Sequence, residues 1–160
     1  KDINVINLVS ITGALDNQWN STSISTANSA TNLSVSGLSD GTYSVYATDR
    51  DGNLSNVSQF NITVDTTNPI VDITNQIPQA YPNTKTVVLT TSETVSGTPN
   101  PTDFTVLMDD VENTVTGVNV SGTTITLTLN NMVQTGKTLT VDYAQDTNAI
   151  IRDSAGNELQ

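Results

Sequence analysis

A chain of 160 residues with no cysteine and no histidine cannot form disulfides or thiolate metal sites, and it lacks the usual general base and the best zinc ligand. Sixteen acidic residues stand against five basic ones, a formal net charge of −11, which repels nucleic-acid phosphates and anionic membranes and favours divalent cations. Only 35% of the residues are hydrophobic and 4% aromatic. That is low for an enzyme core, yet enough for two thin β cores in which each strand needs one apolar face.

In chain order, alternation predicts strands near Ile3–Val9, Thr31–Ser36, Thr42–Thr48 and Val57–Val64. Tyr43, Val45 and Ala47 fall on one face, and Ser44, Tyr46 and Thr48 on the other. The polar stretch Asn20–Ala30 shows no period, and Trp19 just before it is the expected core anchor of this half. The segment Val64-Asp65-Thr66-Thr67-Asn68-Pro69-Ile70 predicts a domain boundary. Pro69 has no N–H to donate and Asn68 is forced extended by it, so the linker is short and stiff.

Beyond the boundary, strands are predicted near Ile70–Asn75, Thr86–Thr91, Asp103–Met108, Val111–Val115, Val118–Val120, Thr123–Leu129 and Thr138–Tyr143. Ile125, Leu127 and Leu129 alternate with Thr124, Thr126 and Thr128. The run Thr98-Pro99-Asn100-Pro101 reads as a loop, Ser121-Gly122 as a tight turn, and Asp109-Asp110 as a hairpin turn with Glu112 a solvated neighbour. No long window carries a helical period, and no apolar run approaches membrane-spanning length. There is no signal-peptide pattern, and the chain opens on Lys1 rather than Met, as a piece of a longer protein would.

The richest chemistry lies in a repeated pentapeptide. Asp49-Arg50-Asp51-Gly52-Asn53 and Asp153-Ser154-Ala155-Gly156-Asn157 share Asp-x-x-Gly-Asn. Asp and Asn supply hard oxygen ligands and Gly allows the sharp turn that converges them, which is how a loop binds calcium. An EF-hand is excluded, because the twelfth position from Asp49 is Phe60 rather than Glu. In a β-sandwich topology Asp49, Asp51 and Asn53 fall at the N-terminal tip of the first domain. Asp146, Asp153 and Asn157 fall at the N-terminal tip of the second, beside Asp65 and near Asp40. These positions predict calcium sites, one of them bridging the domains through Asp65 and the 146–157 loop. The competing reading of each acid is an ordinary turn residue.

Leu38-Ser39-Asp40-Gly41-Thr42-Tyr43-Ser44-Val45 resembles the start of strand F of immunoglobulin and fibronectin type III folds, with Tyr43 as the tyrosine-corner residue whose hydroxyl bonds backbone upstream. The continuation through Asp49-Arg50-Asp51-Gly52-Asn53 and Val64-Asp65-Thr66-Thr67-Asn68-Pro69 resembles bacterial Ig-like repeats, including those of calcium-dependent RTX adhesins. The second half resembles a repeat of long cyanobacterial and marine bacterial surface proteins. The matching stretches are Asp103-Phe104-Thr105-Val106, Val118 to Leu129, Gly136 to Tyr143, and Ile150 to Leu159. In such repeats a further strand follows the Ala-Gly-Asn-x-Leu element, and this sequence stops at Gln160 before it.

The resemblance implies two tandem immunoglobulin-like β-sandwich domains, 1–65 and 66–160. It implies an extender or spacer of a large bacterial cell-surface adhesin, extracellular, stiffened by Ca2+, whose partners are neighbouring Ig-like domains of the same chain. The alternative is a calcium-dependent module that grips a peptide or glycan, with Trp19 or Tyr81 as a stacking platform. Ice binding by Thr124, Thr126 and Thr128 is a weaker rival, since one strand makes a narrow array. Catalysis is not expected: Lys1, Lys85 and Lys137 lie in plain polar contexts, and adjacent Asp109 and Asp110 make no acid/base pair.

Overall fold

The computed structural model describes residues 18–26, 29–72, 79–145 and 150–160. These residues are all-β, in three small sheets. The chain packs as two compact units, Lys1–Thr66 and Thr67–Gln160.

In the first unit, β1 (Gly41–Ser44) and β2 (Asn61–Val64) form an antiparallel pair with Tyr43 opposite Ile62. The ribbon runs on past β1 in irregular form, through Ser58 N–H to Val45 O at 2.8 Å, Ser55 N–H to Ala47 O at 2.8 Å, and a bridge between Thr48 and Leu54. Tyr43, Val45 and Ala47 are half-buried while Ser44 and Tyr46 are exposed, as the alternation requires. Thr48 departs from it and is buried. The Tyr43 hydroxyl donates to Ser39 O at 2.7 Å, the upstream backbone bond expected of it. Asp40 Oδ1 accepts from the N–H and hydroxyl of Thr66 at 2.9 and 2.7 Å, tying the end of the unit to the loop before β1.

No strand forms at Thr31–Ser36. Polar side chains take its backbone groups instead: Asn20 Nδ2 donates to Ser34 O at 2.8 Å and Ser34 Oγ accepts from Ser36 N–H at 3.1 Å. Trp19 is half-buried. With Leu33, Val45 and Leu54 it lines a cavity of about 780 Å³. The predicted strand Ile3–Val9 lies outside the described residues.

The second unit contains β3 (Gln79–Ala80), β4 (Thr86–Thr90), β5 (Phe104–Met108), β6 (Val111–Glu112), β7 (Val115–Ser121), β8 (Thr124–Leu129) and β9 (Leu139–Tyr143). They form a four-stranded sheet, β3-β4-β8-β7, and a three-stranded sheet, β6-β5-β9, antiparallel throughout. Alternate residues of both sheets feed one core: Val87 and Leu89, Phe104 and Val106, and Ile125, Leu127 and Leu129, joined by Ile151 and Leu159 from the last segment. The Phe104 and Tyr143 rings stack with centroids 4.8 Å apart. Of the strand predicted at Ile70–Asn75, Val71 makes a bridge to Thr91, and 73–75 lie outside the described residues. β3 was not expected, being too short to show a period.

The turns follow the residue chemistry. Asp109 and Asp110 both take positive φ, 49° and 63°, and close the β5–β6 hairpin as a two-residue turn. The Asp109 carboxylate also accepts from Lys137 Nζ at 2.7 Å and from Thr138 N–H at 2.9 Å, and these bonds, the lysine first, hold its pKa below the ordinary value. Lys137 and Asp109 thus form a surface ion pair. The β7–β8 turn is Gly122-Thr123, one residue later than expected, with φ of 59° at Gly122. Buried Asn113 clamps the next loop: its Oδ1 accepts from Asn131 N–H at 2.9 Å and its Nδ2 donates to Asn131 O at 3.1 Å. Asp103 is buried before β5 because its carboxylate accepts the Asn100 N–H at 2.7 Å and caps the 3-10 turn Pro101–Asp103.

Candidate functional site

Both copies of Asp-x-x-Gly-Asn form the same hairpin tip. In the first, Asp49 N–H donates to Asn53 O at 3.1 Å, and two residues further out Ser55 N–H donates to Ala47 O at 2.8 Å. In the second, Asp153 N–H donates to Asn157 O at 3.0 Å, and Leu159 N–H donates to Ile151 O at 2.9 Å. The intervening residues bridge in each case, Thr48 with Leu54 and Arg152 with Glu158. The glycine at the fourth position takes positive φ, 87° at Gly52 and 99° at Gly156, where a side chain would be strained.

The carboxylate at the first position fills the centre of each tip. Asp49 Oδ1 accepts from Asp51 N–H at 3.0 Å and Asn53 N–H at 2.9 Å, and its Oδ2 accepts from Asn53 Nδ2 at 2.9 Å. Asp153 Oδ1 accepts from Gly156 N–H at 2.7 Å and Asn157 N–H at 2.9 Å, and its Oδ2 accepts from Asn157 Nδ2 at 2.8 Å. Each tip closes through its own hydrogen bonds. A cation bound there would share the Asp oxygens with those donors, and the amide nitrogen of the Asn, not its oxygen, faces the carboxylate.

Burial pushes the Asp153 carboxyl up. The Asn157 side chain and the N–H groups of Asn157, Gly156 and Ala155 outweigh that and hold it below the ordinary value. Asp153 is thus anionic at neutral pH although only 6% exposed.

A second carboxylate stands close to it. Oxygens of Glu93 and Asp153 lie within 4.8 Å of each other. The segment after β4 is drawn to this loop by a two-way ladder, Ser96 N–H to Arg152 O at 2.7 Å and Arg152 N–H to Ser96 O at 2.9 Å. Gly97 permits the approach, because a Cβ there would meet Ile150 O at 2.7 Å. Glu158 bonds outward instead, to Gln145 Nε2 and Arg152 Nη2, each at 2.8 Å, and these bonds hold its pKa below the ordinary value.

Of the sequence-predicted ligands, Asp49 and Asn53 meet in one loop and Asp153 and Asn157 in the other. Asp51 is exposed at the first tip, where it uses its backbone N–H. Asp65 is half-buried directly after β2. Asp146 lies outside the described residues. Glu93 escaped the sequence reading because it belongs to no motif; only the pairing of Ser96 with Arg152 brings it to Asp153.

Residues 96–148 match a repeat family described as a "putative flagellar system-associated repeat". This stretch, from the end of the segment carrying Glu93 through β9, is similar to a bacterial repeat domain. No curated protein and no solved structure matches the chain.

Proposed function

We propose that the chain is an extender or spacer of a large bacterial cell-surface adhesin, extracellular and non-catalytic. In this reading residues 1–65 and 66–160 are tandem immunoglobulin-like β-sandwich domains on a short stiff linker, and Ca2+ rigidifies loops and linker. Its partners are the neighbouring domains of the same polypeptide. The observation that carries the reading is the recurrence of one Asp-centred hairpin tip in two β units, in a chain of net charge −11 with a bacterial-repeat match.

The carboxyl groups of Glu93 and Asp153, with oxygens within 4.8 Å of each other, offer a cation two hard ligand atoms in the second unit. Calcium takes 6 to 8 oxygens, so backbone carbonyls and water would complete the set. Asp65 and Asp146 are the further acids assigned to the linker and loop, and Asp49, Asp51 and Asn53 to the first tip.

The test is thermal melting in millimolar calcium against EDTA. A ligand that binds only the folded form at 100 times its Kd adds about 2.7 kcal/mol, so the calcium curve is expected several degrees higher. Coincident curves would remove calcium from the account, and the spacer reading would then rest on the repeat alone. The second reading is a calcium-dependent peptide- or glycan-binding module. It draws on the Trp19-lined cavity, and a reproducible hit on a glycan or peptide array, lost on Trp19→Ala, would replace the spacer.

A further inference from the structure

Asp-Gly occurs twice in the chain, at Asp40-Gly41 where β1 begins and at Asp51-Gly52 in the first hairpin tip. The dipeptide carries a chemistry of its own. The main-chain nitrogen of the glycine can attack Cγ of the preceding aspartate and close a five-membered imide, because glycine has no Cβ to obstruct the approach. All four residues are exposed, so access to water does not separate the two sites. Their hydrogen bonds do.

The Asp40 carboxylate is held: its Oδ1 accepts from the Thr66 N–H at 2.9 Å and from the Thr66 hydroxyl at 2.7 Å. Gly41 is fixed in β1 opposite Val64. The Asp51 carboxylate, in contrast, accepts no hydrogen bond among the described residues, and the tip uses only the Asp51 N–H, which donates to Asp49 Oδ1 at 3.0 Å. The Gly52 N–H donates to Asp49 O at 3.2 Å, the longest bond of the tip. A Cβ at Gly52 would meet nothing within 4 Å, so the backbone there has room to turn. Giving up one hydrogen bond to a charged carboxylate slows a step about tenfold. Asp40 must give up such a bond before its carboxyl group can swing to the Gly41 nitrogen, and Asp51 has none to give up.

We propose that Asp51-Gly52 is a site of spontaneous backbone modification, at which Asp51 converts to isoaspartate while Asp40 is spared. The Gly52 nitrogen bonds to Asp51 Cγ, and its proton leaves with the hydroxyl of the protonated carboxyl group as one water. Water then adds to the main-chain carbonyl of the imide and breaks that carbon's bond to the Gly52 nitrogen. The chain now runs through the Asp51 side chain, the former main-chain carbonyl carbon bears the free carboxylate, and no oxidant, reductant or second substrate is consumed. The product has one more carbon in the backbone between Asp49 and Asn53. Two bonds span that stretch, Asp49 N–H to Asn53 O and Asn53 N–H to Asp49 Oδ1. Both lose their register, so the modification unlocks the first tip. The second tip is exempt, because Ser154 rather than glycine follows Asp153 and three donors fill the Asp153 carboxylate.

The test ages the full chain in warm neutral buffer made with oxygen-18 water and EDTA, which keeps metal ions off the carboxylate and separates the outcome from the calcium reading. A synthetic peptide of residues 47–55 serves as the clock. When half of that peptide has isomerised, the protein is digested and its fragments are separated and sequenced by electron-transfer mass spectrometry. Fragments containing Asp51 are expected as two species of the same sequence, the isoaspartyl one carrying one heavy oxygen, with about ten times the conversion seen at Asp40. In the aged protein the amides of Asp49 and Asn53 are expected to exchange hydrogen faster than in the fresh one. Asp51→Glu, which would need a six-membered ring, is expected to show neither change. Intact Asp51 in the protein when the peptide is half converted would overturn the proposal, because the folded tip would then protect the site. Equal conversion at Asp40 and Asp51 would overturn it as well, because the hydrogen bonds would then select nothing.

Discussion

The two hairpin tips share a sequence pattern and the Asp–Asn hydrogen bonds that close them but not a setting. Around the first, the positions flanking the tip are Ala47 and Ser55, and Leu54 is 58% exposed. Around the second, the same positions are Ile151 and Leu159, 0% and 2% exposed, and the bridging pair Arg152 and Glu158 forms a surface ion pair at 2.8 Å. Local sequence therefore dictates the loop, while the packed unit dictates what the loop can do. Among the described residues, only the second tip is flanked by fully buried apolar side chains, and in the second unit its carboxylate lies beside another.

The largest test of that difference is Ile151→Ala. Emptying a fully buried site costs about 2–5 kcal/mol, and the second unit is expected to melt correspondingly earlier by calorimetry. An undiminished transition would show that the tip does not depend on the core beneath it.

Removing the central carboxylates comes next. Asp153→Ala orphans donors in a buried setting and is expected to lower the melting temperature on the order of 10 °C, against a few degrees for Asp49→Ala at the more exposed tip. Equal losses would mean that burial adds nothing to the hydrogen bonds. The acid limb separates the causes. The folded-state pKa of Asp153 lies below its ordinary value of 3.8, so the unfolded chain binds the proton more readily. The stabilisation is complete above that value and fades as the pH falls through the lower folded-state pKa. Asp153→Asn is expected to flatten this part of an acid titration followed by circular dichroism.

The smallest effects should be equal. A Cβ at Gly52 or Gly156 would meet nothing within 4 Å, so Gly→Ala at either site costs only the positive-φ penalty, about 1–2 kcal/mol. Denaturant midpoints that differ strongly between the two variants would show that the loops are not the equivalent tips their bonds describe.

Much of this was legible in the sequence where residue chemistry is local. Strict alternation in Thr124–Leu129 marked the central strand, Asp109-Asp110 marked a turn, and Tyr43 marked its own hydroxyl bond to the backbone upstream. Reading failed where side chains compete for backbone, as Asn20 and Ser34 do across the stretch predicted as a strand. It failed also where a pairing distant in sequence decides the outcome, as Ser96 with Arg152 decides the position of Glu93. The repeated motif was visible at once, but its first role is to close a hairpin, which a list of oxygen-bearing residues does not disclose.

That closure has a practical side. It uses the side chains of only the first and fifth residues of the tip, a backbone bend at the fourth, and main-chain N–H groups in between. The side chains at 50, 154 and 155 take no part in that closure, and the residues at the second position already differ between the two copies. Reporter groups or affinity tags grafted at those three positions would be displayed at the apex of a self-locking bracket, and a library varied there could be screened without rebuilding the scaffold.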